Sequence, residues 1–201
     1  MSGVDLGKAS GGKGAATPAG PAASGRSFWL WLPFGLVSLL GILFLWGLYA
    51  GGQSRLIESQ WIDKPVPVFD LPPAMPGQPG LSSAAFADGR PRLLNVFASW
   101  CVPCRLEAGQ LEALRRQGVI VEGIAIRDRP DQLAAFLAEY GNPFTSIGAD
   151  TRSQVQIALG SSGVPESFLI DGNGIIREQI QGRITDDQVP EIIAKLQAMD
   201  R

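Results

Sequence analysis

The chain has 201 residues, enough for one ordinary domain with appendages, and a formal net charge of −2. No basic run is long enough to suggest nucleic acid as a partner. There are two cysteines and no histidine, which excludes His-based triads, Cys–His proteases and His-ligated metal sites and leaves acid–base work to carboxylates, Lys, Tyr or water.

Residues 1–27 are rich in Gly, Ala and Ser, lack apolar periodicity and read as a disordered tail. Residues 28–50 contain no charged side chain. As a helix they would span roughly 34 Å, enough to cross a bilayer. Trp29 and Trp31 lie near one end, Trp46 and Tyr49 near the other, as interfacial anchors would. A cleaved signal peptide is the main rival, but its apolar core is shorter, and Leu48-Tyr49-Ala50 is a poor cleavage signal. Pro33 and three glycines argue against a buried soluble helix. The stretch is therefore predicted to be a retained transmembrane anchor. Lys8, Lys13 and Arg26 precede it and Arg55 and Lys64 follow. That slight bias puts the N-terminus in the cytoplasm. The rest of the chain then lies outside the membrane, in the periplasm if the cell is Gram-negative.

Residues 51–64 read as a tether and 65–201 as one α/β domain. The stretch 65–72 is bounded by prolines and predicts an edge strand. Residues 81–87 predict a short helical turn, and Asp88-Gly89-Arg90-Pro91 a turn. Leu93-Leu94-Asn95-Val96-Phe97 is an apolar, partly β-branched run that predicts a buried strand. Residues 105–117 predict a helix ending at Gly118. A second buried strand is predicted over 119–126, a helix over 130–140 and a weak helix over 153–159. Residues 167–170 and 175–180 predict a strand–turn–strand unit around Asp171-Gly172-Asn173-Gly174, and 186–199 a final amphipathic helix. The Asp-Gly-Asn-Gly turn resembles a calcium loop only superficially, since the remaining ligands are missing. The order β-α-β-α-β-β-α predicts an α/β fold.

Cys101-Val102-Pro103-Cys104 falls at the junction of the first buried strand and the following helix. Free N–H groups and the positive end of the helix dipole there favour a thiolate, the reactive form of cysteine. Cys101 can attack a partner disulfide and Cys104, one turn on, can resolve the mixed species. A structural disulfide closing so short a loop would restrain the unfolded chain little. A zinc site would need carboxylates or a second chain to complete its ligands. Haem attachment of the CxxCH type fails because Arg105 stands in the His position. Redox chemistry is the favoured reading. Glu107 shares the helix face of Cys104 and Leu111. If that face points inward, Glu107 is a buried carboxylate with a raised pKa suited to proton transfer; otherwise it is a solvated helix glutamate. Trp100 is either core packing or a cover and contact surface for the disulfide. Arg127 and Asp128, at a strand end, read as an ordinary surface pair.

The run 93–104, Leu-Leu-Asn-Val-Phe-Ala-Ser-Trp-Cys-Val-Pro-Cys, with Gly163-Val164-Pro165-Glu166-Ser167-Phe168-Leu169-Ile170-Asp171 beyond it, resembles the thioredoxin-like proteins. More narrowly the chain looks like the membrane-anchored cytochrome c biogenesis thiol:disulfide interchange proteins of the DsbE/CcmG type. Lys64-Pro65-Val66-Pro67-Val68-Phe69, Arg127-Asp128 and Gly141-Asn142-Pro143-Phe144 match as well. The resemblance implies a thioredoxin-like fold, a central mixed sheet flanked by helices. It also implies a thiol:disulfide oxidoreductase that takes electrons from a membrane-embedded thiol reductase. Such proteins reduce apocytochrome c or its thiol partner, with no cofactor beyond the redox-active pair Cys101–Cys104. Carried over by position, Cys101 is the nucleophile, Cys104 the resolving thiol and Glu107 an acidic catalytic residue. Trp100, Val164, Pro165 and Glu166 are expected to bind substrate, with Pro165 as the cis-proline that faces the CxxC. Asn95 stands where many thioredoxins carry a buried Asp. There are three departures from the pattern: Gly109 replaces a helix-kinking Pro, Ser161-Ser162 replaces a Gly-Val-Tyr type run, and Phe97 replaces a common Trp.

A general periplasmic reductase and a non-catalytic scaffold that binds thiol proteins are the competing readings. Glu107 and Glu166 oppose a thiolate, so the expected reduction potential is about −180 to −270 mV, well below that of a strong oxidant at about −120 mV.

Overall fold

The computed structural model describes residues 28–50 and 61–200. The expected tail over 1–27 and most of the expected tether lie outside the described residues. The chain divides into two units, Met1–Arg55 and Leu56–Arg201.

In the first unit the helix α1 spans Phe28–Ala50. Its described side chains cover 31–47, and the large apolar ones among them, such as Trp31, Phe34, Leu40, Phe44 and Trp46, are exposed. Among the described residues, no helix is long and apolar enough to cross a membrane.

The second unit is built on a five-stranded mixed sheet. Its strands are β3 (Arg92–Phe97), β4 (Ile120–Ile126), β5 (Ile147–Asp150), β6 (Glu166–Ile170) and β7 (Ile176–Gln181), in the order β5-β4-β3-β6-β7. β3 pairs parallel with β4 and antiparallel with β6. All six β3 residues are buried, as a central strand requires. Asn95 lies opposite Gly123 on one side and Ser167 on the other. The helices are α2 (Val102–Arg116), α3 (Pro130–Tyr140), the short α4 (Gln154–Ala158) and α5 (Gln188–Met199).

Asn95 and Phe97, two residues apart, point to one face of the sheet. Phe97 stacks on Phe144 at 4.5 Å and packs against Phe136 of α3 at 5.9 Å. Asn95 bonds to α2. That face thus carries α2 and α3, and the strand that delivers Cys101 is held from both flanks.

The expected edge strand over 65–72 shrinks to β1 (Asp70–Leu71), paired antiparallel with β2 (Leu81–Ser82). Pro65 makes only an isolated bridge with Ile175. Pro65 and Pro67 have no N–H to donate, so a continuous ladder cannot form there. The expected turn over 81–87 resolves into β2 and a 3-10 helix over Ser83–Ala87. β5 was not foreseen. It pairs parallel with β4 and adds a strand between α3 and α4. The strand ends at Asp150, whose carboxylate accepts N–H bonds from Gln154, Val155 and Gln156 at 2.8–2.9 Å and so holds the start of α4.

Gly109 sits exposed within α2, and a Cβ there would meet nothing within 4 Å. The missing proline therefore leaves an unbroken helix. Gly109→Ala is expected to stabilise the domain by about 1 kcal/mol, since glycine costs that much in a helix interior. A denaturant titration checks it; a lower midpoint would contradict it.

Candidate active site

Cys101 is the N-cap of α2, in extended conformation, and Pro103 falls in the first turn. The two cysteines form a disulfide, with their Cα atoms 5.3 Å apart. The backbone N–H of Cys104 donates to Cys101 Sγ at 3.2 Å. A helix-terminal N–H therefore already points at the sulfur that the sequence assigns as nucleophile. A thiolate there would keep that bond and strengthen it. Both cysteines are buried in this oxidised form, Cys101 4% exposed and Cys104 2%.

The segment before Cys101 is clamped. Asp128, on the loop after β4, accepts the Ser99 N–H and the Ser99 hydroxyl, both at 2.6 Å. Arg105 of α2 donates to the Ser99 carbonyl from Nε at 3.3 Å and from Nη2 at 3.0 Å. The Trp100 indole N–H reaches the Arg127 carbonyl at 3.4 Å. Arg127 itself is left-handed, with φ of 45°, a conformation that costs a non-glycine residue about 1 kcal/mol. Asp128 is thus no ordinary surface residue. Nothing in its local sequence signals a partner 29 positions away.

Trp100 is 50% exposed. It borders two open grooves, of about 310 Å³ with Ile157 and Val164, and about 370 Å³ with Arg105 and Tyr140. The Val164–Pro165 peptide is cis, as the resemblance implied, and Pro165 is buried. Trp100 and Val164 are therefore brought together at one groove. Glu166 is turned away from it. Its carboxylate accepts the Ser162 N–H at 3.0 Å and the Gln179 amide at 2.6 Å, and the residue is 1% exposed. It braces the loop that carries Pro165, and Ser162 contributes to that brace through its backbone.

Glu107 is fully buried. Asn95 Nδ2 donates to its Oε1 at 3.0 Å and the Ile184 N–H to its Oε2 at 2.9 Å. Burial pushes its pKa up from 4.5 to about 7; the two hydrogen bonds and the Arg183 charge oppose that rise without cancelling it. Cys104 and Glu107 line one small internal cavity. The inward-facing reading of Glu107 is the one the structure adopts. Among the described residues no cluster of Cys, Asp and Glu could hold a metal ion.

A disulfide at a helix N-terminus with a carboxylate buried beside Cys104, in a domain that also carries a cis-proline at the start of β6, defines a thiol–disulfide oxidoreductase of thioredoxin-like fold. The Redoxin family model matches residues 62–196. The thiol:disulfide interchange protein DsbE of Pseudomonas fluorescens is 36% identical over 85% of this chain and 95% of its own length. HelX, a thiol:disulfide interchange protein of Rhodobacter capsulatus, is 39% identical over 67% of this chain and 76% of its own length. A DsbF homologue from Corynebacterium diphtheriae shares the fold at a TM-score of 0.58 and 20% identity, covering 72% of this chain and 94% of that one. The chain belongs to the Redoxin family, and within it to the thiol:disulfide interchange proteins of the DsbE and HelX type.

The raised pKa of Glu107 links to stability. Between pH 4.5 and about 7 the folded chain keeps a proton that the unfolded chain has released. Stability therefore falls as pH rises through that interval, by on the order of 3 kcal/mol at about 1.4 kcal/mol per pKa unit. Glu107→Gln is expected to flatten this slope and to slow disulfide exchange. Urea titrations across the interval measure the slope, and one identical to that of the unmutated chain would contradict the assignment.

Proposed function

We propose that this protein is a membrane-tethered, periplasmic reductant that serves cytochrome c maturation. Residues 28–50 anchor it in the inner membrane with the N-terminus in the cytoplasm. The charge-free span, the aromatic residues near its ends and the exposed apolar side chains of α1 support the anchor. A membrane-embedded thiol reductase recharges the Cys101–Cys104 pair. The dithiol then reduces apocytochrome c or a thiol partner of it, freeing thiols for haem attachment.

The observation that carries this reading is the pairing of a helix-capped Cys101 with a buried Glu107 beside Cys104. Cys101 thiolate attacks the partner disulfide, forming a mixed disulfide and releasing one partner thiolate, which takes a proton. Glu107 accepts the Cys104 proton. Cys104 thiolate then attacks Cys101 Sγ, the mixed disulfide breaks, and the second partner sulfur leaves as a thiolate that takes a proton. Two electrons pass to the partner and the Cys101–Cys104 disulfide forms. Trp100 and Val164 bound the groove that receives the partner chain, with Pro165 and Glu166 shaping the loop beside it. Glu107, the carboxylate beside Cys104, opposes a strongly stabilised thiolate at the pair. A potential between about −180 and −270 mV goes with this role.

Cys104→Ser leaves Cys101 able to attack and unable to be released. Expressed in cells, the full chain with this substitution is expected to accumulate as a mixed disulfide with a cysteine-bearing cytochrome c precursor or its thiol partner. Capture of many unrelated periplasmic proteins instead would favour a general reductase. A scaffold would keep its cellular role with both cysteines replaced by Ser.

A further inference from the structure

The groove that Trp100 shares with Val164 carries three features that disulfide exchange itself leaves unused. The first is its backbone. Arg127, Ser153, Ile157 and Ser162 also line the groove. Three non-glycine residues among the described ones have positive φ, and two of them line it, Arg127 at 45° and Ser153 at 56°. L-residues rarely adopt that conformation, and such strain concentrates at binding sites. One carbonyl holds both: Asp150 O accepts the Arg127 N–H at 3.2 Å and the Ser153 N–H at 3.1 Å.

The second feature is charge. Arg127 is exposed, and its guanidinium has no ion pair or hydrogen bond among the described residues. Arg152, exposed beside Ser153, is unpaired as well. Arg92 and Arg129, by contrast, are paired with Glu122 and Asp131. Among the described residues no carboxylate lines the groove. The neighbouring segments carry Asp128, Asp150 and Glu166, and each is engaged: Asp128 by Ser99, Asp150 by the start of α4, Glu166 by Ser162 N–H and Gln179. The third feature is a set of uncommitted hydroxyls. Ser153 is 1% exposed and its Oγ has no hydrogen-bond partner, so its hydrogen is free to turn toward a bound group. Ser161 Oγ and Gln156 Nε2 donate to the Gly163 carbonyl at 3.1 and 3.4 Å and fix the loop. The exposed Ser162 hydroxyl is left without a partner among the described residues. The Ser161-Ser162 departure thus gives this groove small hydroxyl side chains in place of a Val-Tyr type pair.

We propose that the groove is a carboxylate subsite, which selects partner chains with an Asp or Glu two residues from the cysteine that Cys101 attacks. This rests on the partner chain lying in the Trp100–Val164 groove. In an extended chain, residues two apart point to the same side. A side chain two residues from that cysteine therefore faces the protein, roughly 7 Å further along. Arg127 supplies a planar fork of N–H donors that matches a carboxylate, and Ser162 adds a hydroxyl donor. Trp100, Ile157 and Val164 supply apolar surface for the aliphatic part of the side chain. An amide of the same shape lacks the charge, and a Lys carries the opposite one, so both forfeit the charge-assisted bonds. Arg127 is thus a specificity-determining residue. It meets the partner chain away from the sulfurs.

The probe is a short peptide with one cysteine, held as a mixed disulfide with a chromogenic aromatic thiol. It carries Asp, Asn or Lys two residues before and two residues after the cysteine. The Cys101 thiolate of the reduced full-length chain attacks the peptide sulfur, the S–S bond breaks and the coloured aromatic thiolate leaves. Stopped flow at about 0.15 M salt follows the release, with attraction between distant charges largely screened. The Asp peptide is expected to react at least about fivefold faster than the Asn peptide, equivalent to about 1 kcal/mol, and the Lys peptide slowest. Arg127→Gln is expected to bring the Asp-to-Asn ratio to about one. Ser162→Tyr fills the groove from its rim and is expected to lower the ratio too. Both positions are exposed, so neither change removes a packed side chain. Equal rates for the Asp and Asn peptides in the unmutated chain, or an undiminished ratio in Arg127→Gln, would overturn the proposal. Failure of the unmutated dithiol to release thiolate from any of the three peptides would strike the role of Cys101 as nucleophile, and the subsite would fall with it.

Discussion

The site depends on a carboxylate buried one helical turn beyond Cys104. Glu107 would be expensive to hold there without partners, and it has two: the Asn95 amide from β3 and the Ile184 N–H from the loop after β7. Each bond reaches across the domain, one 12 residues back along the chain and one 77 residues on. The active-site helix is thereby tied to the central strand and to the loop leading into α5, and Gln110 adds a bond to Asp186 on the same loop. The price of this burial appears as a carboxyl that titrates near neutrality, where a proton acceptor works best.

A second set of contacts governs the other sulfur. β3 ends where the chain must turn into α2, and a turn of this kind has backbone groups without ladder partners. Asp128 takes the Ser99 N–H and Arg105 the Ser99 carbonyl, so the loop presents Cys101 in a fixed attitude at the helix N-terminus. On the loop before β6, Glu166 holds the Ser162 N–H and keeps the segment of Val164 and Pro165 in place. Of the two glutamates expected at the site, Glu107 lies beside a reacting sulfur and Glu166 is committed to the loop. They share an acidic character and differ in what they touch.

The parts of this arrangement that local pattern controls were legible in the sequence. The apolar run of β3, the cysteine spacing and the helix after it place Cys101 at a helix N-terminus. The three-residue step from Cys104 puts Glu107 on the same face. What local pattern leaves open is which face points inward, and the answer came from Asn95 and Ile184. The parts that were missed are those whose partners are distant. Asp128 reads as half of a surface pair until β4 brings its loop beside Ser99. β5 is four residues long and contains Gly148 and Asp150, so neither periodicity nor β propensity marks it. The stretch 65–72 failed as a strand for a reason that was visible, because its prolines lack the donors a ladder needs.

The account turns on Glu107 being a neutral-range proton acceptor, and titrating it directly is the most decisive measurement. Carboxyl-carbon NMR of the full chain labelled at glutamate, with Glu107→Gln to assign the signal, gives its midpoint in the oxidised form. The account predicts a midpoint near 7. A midpoint close to the ordinary 4.5 would contradict it and leave Glu107 as a hydrogen-bond brace with no part in proton transfer.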